Sequence, residues 1–317
     1  MTYSSGGLIQ ATDYNTLIGT SPGSTSNVLN TVWAIGNTAA GYGQTALSAV
    51  AVGDTVGASE WANLVNKTAN SATHQGSSIT SVSAPAVGGT VTYLSAIPTN
   101  LTTIYTNKLN AATQGSTSST GTTTVSTWSQ QAFFTQTATF ANGDAARYFF
   151  NAGGQLAITV ANANTTAGIN LLLNQLCTNI GTVVLSSVTS GTASIAGTSY
   201  NGVTKVGGGG NAPTISTNSG YYAWTTGNTT VFTQTASTGP SGYLATNISI
   251  FVKTNGVVGS NGDHGNVITI YTLWDEIPDG LAVGAGSTTT ITVRPPETTN
   301  IANTWGTITL TSSASYT

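Results

Sequence analysis

Gln131-Ala-Phe-Phe-Thr-Gln-Thr-Ala-Thr-Phe140 puts Ala132, Phe134, Ala138 and Phe140 on one face of an extended chain and Thr135, Thr137 and Thr139 on the other. That period of two marks a strand with one side in a core. Its centre, Phe134-Thr-Gln-Thr-Ala138, returns as Phe232-Thr-Gln-Thr-Ala236, and each copy follows a tryptophan, Trp128 or Trp224. The repeat reads as a duplication, whose two strand pairs are expected to face each other across a core. Further strand patterns rich in Thr, Val, Ile and Tyr lie at 154–160, 181–188, 229–236, 246–253, 266–274, 287–294 and 304–311. Gly or Asn punctuates them every 8 to 12 residues, the spacing of an antiparallel sandwich or barrel. One helix interrupts them, with Ile169, Leu172, Leu173, Leu176 and Ile180 on a single face.

Upstream the period changes. Residues 9–18 and 56–65 share the order aliphatic-x-Ala-hydroxyl-acid-aromatic-x-x-Leu-aliphatic at an offset of 47. Thr12 or Ser59 is placed to cap a helix, and Asp13 or Glu60 faces the positive end of its dipole. The second copy continues through Trp61, Leu64, Val65, Thr68 and Ala72 to His74-Gln75-Gly76. A third amphipathic pattern runs from Leu101 through Ile104, Tyr105, Lys108 and Leu109 to Ala112. Gly115 to Thr124 has the composition of a linker. The expected fold is therefore mainly β. It has a small α-helical N-terminal assembly region over 1–115, a linker over 116–124 and an antiparallel β-sandwich over 125–317.

The 317 residues include only 6 Lys+Arg and 9 Asp+Glu, 5% of the chain where about a quarter is usual. A surface solvated by hydroxyls and amides has few groups that titrate, ligate metal or move protons, so an enzyme is not expected. A net charge of -3 offers no basic field for nucleic acid or anionic lipid. The opening residues show neither a basic nor an apolar leader pattern, and no run reaches the 18 apolar residues of a membrane span. Synthesis in a cytoplasm without a cleaved signal is the expectation.

Each candidate for chemistry has a plainer structural reading. Cys177, the single cysteine, lies in an apolar run with no cation beside it and reads as a buried hydrophobe. Asp263-His264 in a Gly-rich loop reads as a solvated hairpin tip, and His74 as a cap on helix-terminal carbonyls. Asp275, Glu276 and Asp279 form the one acidic cluster, which fits a Pro-Asp-Gly turn better than a cation loop. Gly207 to Gly210 lacks the Lys-Ser/Thr of a phosphate loop and reads as flexible. Tyr200, Tyr221 and Tyr222 look exposed enough to stack on a sugar, while at least half of the six tryptophans are expected in the core. No catalytic, cofactor-binding or metal-binding residue is assigned.

One segment stands apart. Phe140-Ala-Asn-Gly-Asp-Ala-Ala-Arg-Tyr-Phe-Phe-Asn-Ala-Gly-Gly-Gln155 holds Arg147, one of only two arginines, among aromatic residues. Arg147 is placed to pair with Asp144 across a turn or to stack on a ring such as Tyr148. Asn151, Gly153 and Gly154 suit a sharp reversal before the next strand. The segment resembles a signature of virion structural proteins of tailed bacteriophages, cyanophages among them, and residues 9–17 resemble the helical openings of phage tail and fibre proteins. The likeness spans about the first half of the chain and brings no catalytic residue with it. It implies a virion component of a tail, fibre, neck or baseplate, a homo-oligomer with a trimer favoured, contacting other virion proteins. A receptor- or glycan-binding adhesin and a capsid decoration (cement) protein are the alternatives.

Overall fold

The computed structural model describes residues 10–19, 28–51, 53–87, 95–188, 191–216 and 219–317. Ile9, the first position of the N-terminal repeat, lies outside them, as do the opening residues. Four helices come first: α1 (Ala11–Ile18), α2 (Leu29–Trp33), α3 (Ala58–Gln75) and α4 (Ala96–Thr106). They pack on one another, and the repeat's two aromatics, Tyr14 and Trp61, meet at 6.4 Å between ring centroids. Both repeat helices start one residue before the expected caps, so Thr12 and Ser59 lie in the first turn. In α1 the Gln10 N–H donates to Asp13 Oδ2, which satisfies a helix-terminal donor. The third pattern forms α4 but stops at Thr106; Ala111 instead makes a parallel bridge to Ile195.

The rest of the chain supplies β1 (Ser119–Thr124), β2 (Gln131–Thr139), α5 (Gly143–Asn151), β3 (Gln155–Asn162), α6 (Ile169–Ile180), β4 (Thr182–Leu185), β5 (Ala193–Ile195), β6 (Thr198–Tyr200), β7 (Val203–Val206), β8 (Thr214–Ile215), β9 (Thr229–Thr235), β10 (Asn247–Thr254), β11 (Val267–Asp275), β12 (Ser287–Arg294) and β13 (Thr309–Tyr316). They form an antiparallel β-sandwich. One sheet has the order β1-β12-β3-β4-β7, the other β13-β2-β11-β10-β9-β8, and β5-β6 is a separate hairpin. The Gln131–Phe140 pattern forms β2. It lies second from the edge, between β13 and β11, with Ala132, Phe134, Ala138 and Phe140 buried.

Three further expectations change. The stretch read as a linker forms β1 over 119–124, because threonine favours extended structure and β12 offers a matching threonine row. Thr122 and Thr124 share hydroxyl hydrogen bonds with Thr290 and Thr288. Next, the two Phe-Thr-Gln-Thr-Ala copies do not face each other. They sit in one sheet as β2 and β9, with β11 and β10 between them. Each copy buries its glutamine, and both reach a backbone carbonyl outside their own sheet: Gln136 Nε2 donates to Thr289 O of β12, Gln234 Nε2 to Gly209 O. Last, the expected strand over 304–311 is displaced to Thr309–Tyr316.

One continuous set of buried side chains joins the helical region to the sandwich. It runs from Tyr14, Leu29 and Trp61 to Phe134, Phe149, Trp224 and Trp274. All six tryptophans are buried.

Candidate functional site: the Arg147 node

The segment read as a turn joining Asp144 to Arg147 is a helix. Asn142 caps α5 by accepting the Ala145 N–H at 2.8 Å, and Asp144 in the first turn complements the dipole. On a helix, residues three apart share a face, so Asp144 and Arg147 pair along α5 rather than across a turn. Phe149 and Phe150 enter the core from the same helix. The chain then reverses through Gly153, at φ +88°, where a Cβ would come within 2.7 Å of the Ala111 methyl. At Gly154 a Cβ would strike the Phe149 ring at 2.6 Å. Both glycines are required by close approach.

The Arg147 side chain is fully buried and uses all five of its N–H donors. Nε and Nη2 each donate to Asp144 Oδ1 at 3.0 Å. Nη2 also reaches Ile35 O at 2.8 Å, and Nη1 reaches Thr38 O at 3.0 Å and Ala40 O at 2.9 Å. The guanidinium thus holds the loop that follows α2, and its carbon lies 5.2 Å from the centre of the Tyr148 ring. Pairing and aromatic contact, the two roles read from the sequence, occur together.

Asn151 and Tyr222 complete the node. Asn151 Nδ2 donates to Thr38 O and Gly41 O. The Tyr222 hydroxyl lies 2.7 Å from Thr38 O and 2.6 Å from Asn151 Oδ1, so its one proton serves one acceptor at a time. The Thr38 carbonyl is therefore approached by three side chains, from a backbone held at φ +46°. Asn261 closes the far side, donating to Asp144 Oδ2 while its carbonyl accepts the Thr38 N–H. Residues 35–41, α5, residues 221–224 and residues 258–266 all converge here.

Several candidate residues behave differently from the sequence reading. Asp263 is buried, not a solvated tip. It accepts the N–H groups of Val258, Gly259 and Gly265, and these outweigh the burial that would raise its pKa and hold the carboxyl below its usual range. His264 Nδ1 donates to Trp224 O. Tyr200 and Tyr221 are buried and Tyr222 half-buried, so these rings form no exposed platform. Burial pushes the Tyr221 and Tyr222 hydroxyls up, and neither titrates near neutrality. The Gly207–Gly210 loop is tethered rather than loose: Gly209 N donates to Asn179 O, and Gly209 O accepts from Lys205 Nζ as well as Gln234.

The acidic cluster is dispersed. Asp275 accepts from Gln131, buried Glu276 accepts the N–H groups of Gly280 and Leu281, and Asp279 points to solvent. Burial, with the Asp279 charge nearby, raises the Glu276 carboxyl. Among the described residues no three His, Cys, Asp or Glu side chains gather to hold a metal ion. Cys177 is buried, which pushes its thiol up.

A second node escaped the sequence reading. His74 does not cap carbonyls; its Nδ1 donates to Glu297 Oε1 at 2.9 Å, across 223 residues of chain. Glu297 also accepts the N–H groups of Thr299 and Asn300 and the Asn300 side chain. The His74 hydrogen bond is the main reason its carboxyl falls to about 2. Tyr42 lies edge-on to the His74 ring and accepts from Gln75. No local pattern links position 74 to 297, so only the fold reveals the pair.

These nodes hold segments together, and at the second of them His74 Nε2 is buried without a hydrogen-bond partner. Comparison with family models, curated proteins and solved structures gives no match for this chain.

Proposed function

We propose that this chain is a structural component of a tailed-phage virion, in a tail, fibre, neck or baseplate position, and that it assembles with copies of itself. The observation that carries the reading is where the scarce charge goes. Arg147, Asp144, His74, Glu297, Asp263 and Glu276 are each committed to contacts inside the fold. The surface that remains is dominated by Thr, Ser, Asn and Gly. Such a molecule is suited to building and adhering rather than to acid–base chemistry. The resemblance of residues 140–155 to phage virion proteins supplies the setting, and the helix there buries Phe149 and Phe150 in the core. No helix among the described residues is long and apolar enough to cross a membrane.

The test is immunogold labelling of purified particles of the encoding phage, using antibody raised against the recombinant chain. Label at a fixed place on intact virions is the expected result. Signal in the lysate with none on purified particles would sink the proposal; label on the head surface alone would favour the cement protein.

A further inference from the structure

Five strands of the six-stranded sheet turn an almost charge-free face outward. The β2–β11 register sets Phe133 beside Leu273 and Thr135 beside Tyr271; the β11–β10 register sets Leu273 beside Ser249 and Tyr271 beside Phe251. Phe133 is 38% exposed, and Leu273, Tyr271, Phe251 and Val267 are half-buried. These five sit apart from the buried core, whose residues alternate with them along the same strands. Threonine and serine from β9 and β13 border them on either side. A contiguous aromatic patch with a hydroxyl rim is the composition of a docking surface.

Among the described residues two charges lie on this face, Lys253 of β10 and Asp275 of β11, at opposite ends of the strands. Lys253 pairs in register with Thr269, and Asp275 with Asn247. Six residues separate 269 from 275, about 20 Å of extended chain. That placement selects an occupant. Two copies laid sheet against sheet, about a two-fold axis perpendicular to the strands, bring Lys253 of each over the end carrying the partner subunit's Asp275. An axis along the strands would oppose like charges. Size agrees as well: five strands ~4.8 Å apart and seven to nine residues long cover about 24 by 26 Å, ~600 Å², near the ~800 Å² per partner of a stable interface.

We propose that this outer face is where two copies of the chain pair, sheet to sheet and with strands reversed. The inference deepens the self-assembly part of the function proposed above and replaces the three-fold expectation with a two-fold contact. Aligned sheets pack face to face in this way inside sandwiches. The aromatic rows supply the contact area, and the two charge pairs set its direction.

Sedimentation equilibrium of the full chain tests it. The wild type is expected to form dimers and Phe133→Asp to remain monomeric. Lys253→Asp or Asp275→Lys alone should weaken dimerisation about tenfold or more, and the two together should restore it to within about threefold. Circular dichroism confirms folding of each surface variant. A wild type that stays monomeric at ~200 µM, binding a neutral polysaccharide instead or nothing, overturns the proposal. So do single charge reversals that pair like wild type, or a double reversal that stays weak. Absence of the chain from purified virions would refute the virion reading while leaving this equilibrium untouched.

Discussion

Replacing buried Arg147 with alanine is expected to cost the fold about 3 kcal/mol, the low end for breaking a buried ion pair, because the Asp144 left behind is part-exposed and keeps Asn261. The sum is built from the five hydrogen bonds that Arg147 makes. Thr38 O keeps Asn151 and Tyr222 as partners, and Asp144 keeps Asn261. The carbonyls of Ile35 and buried Ala40 lose their side-chain donor. An unmet buried acceptor costs about 1–3 kcal/mol, and the lost charge-assisted bonds and the cavity add to it. Arg147→Met separates these contributions, because it fills much of the space without donating; it should still lose about 2 kcal/mol. Urea unfolding followed by tryptophan fluorescence reads the effect as a fall in midpoint at constant slope. Against a total stability of ~5–15 kcal/mol the shift is large. An alanine variant within about 1 kcal/mol of wild type would show that the node is ornamental and that packing alone docks residues 35–41.

Acid should weaken the second node. The Glu297 carboxyl sits at about 2 in the folded chain against 4.5 unperturbed, so its contribution is complete above about 4.5 and is lost as pH falls towards 2. Unfolding midpoints measured from pH 7 down to pH 2 should fall more steeply for wild type than for Glu297→Gln; parallel curves would refute the assignment. Gly153→Ala should cost about 2 kcal/mol or more, since it combines a left-handed backbone with a 2.7 Å approach to Ala111. Unchanged thermal stability would contradict that geometry. The Cys177 thiol, buried and pushed up, should resist a thiol reagent in the native chain and react only on unfolding. Rapid labelling of native protein is the contrary result.

Period-two runs in the sequence announce most of the sandwich strands, and the apolar stripe of Ile169, Leu172, Leu173, Leu176 and Ile180 announces α6, although its cap falls at Gly168 rather than in the Asn164-Thr165-Thr166 that precedes it. Such features are legible because burial on one face writes a local period. The Arg147 node is half legible. Asp144 and Arg147 are close in sequence, but the carbonyls of Ile35, Thr38 and Ala40 carry no side-chain signature, so their role as acceptors cannot be read from composition. The Phe140–Gln155 segment misled for a related reason. Its Asn-Gly-Asp opening is equally the start of a turn and the cap of a helix, and the helix prevails because α5 buries Phe149 and Phe150 together. In the Gly115–Thr124 stretch, flexibility read from Ser, Thr and Gly gave way to a strand once β12 supplied a partner row. Composition describes what a segment does alone; the neighbouring strand decides what it does in the fold.

The scarcity of charge gains its meaning from position. Arg147 holds residues 35–41 to α5 and His74 holds α3 to the loop at Glu297, so each node joins segments more than a hundred residues apart through hydrogen bonds. Buried pairs of this kind add little net stability over a well-packed apolar substitute, but removing one partner is costly. Their effect is to penalise alternative dockings of the helical region, since any other placement leaves a guanidinium or carboxylate unmet in the interior. A threonine-coated surface offers no such discrimination, because one hydroxyl row pairs with another as readily as β1 does with β12. In a chain built this way, buried polar nodes select the single arrangement of helices on sandwich. On the outer face proposed to pair, Lys253 and Asp275 are the charges among the described residues, enough to set the orientation of a second copy and too few to repel it.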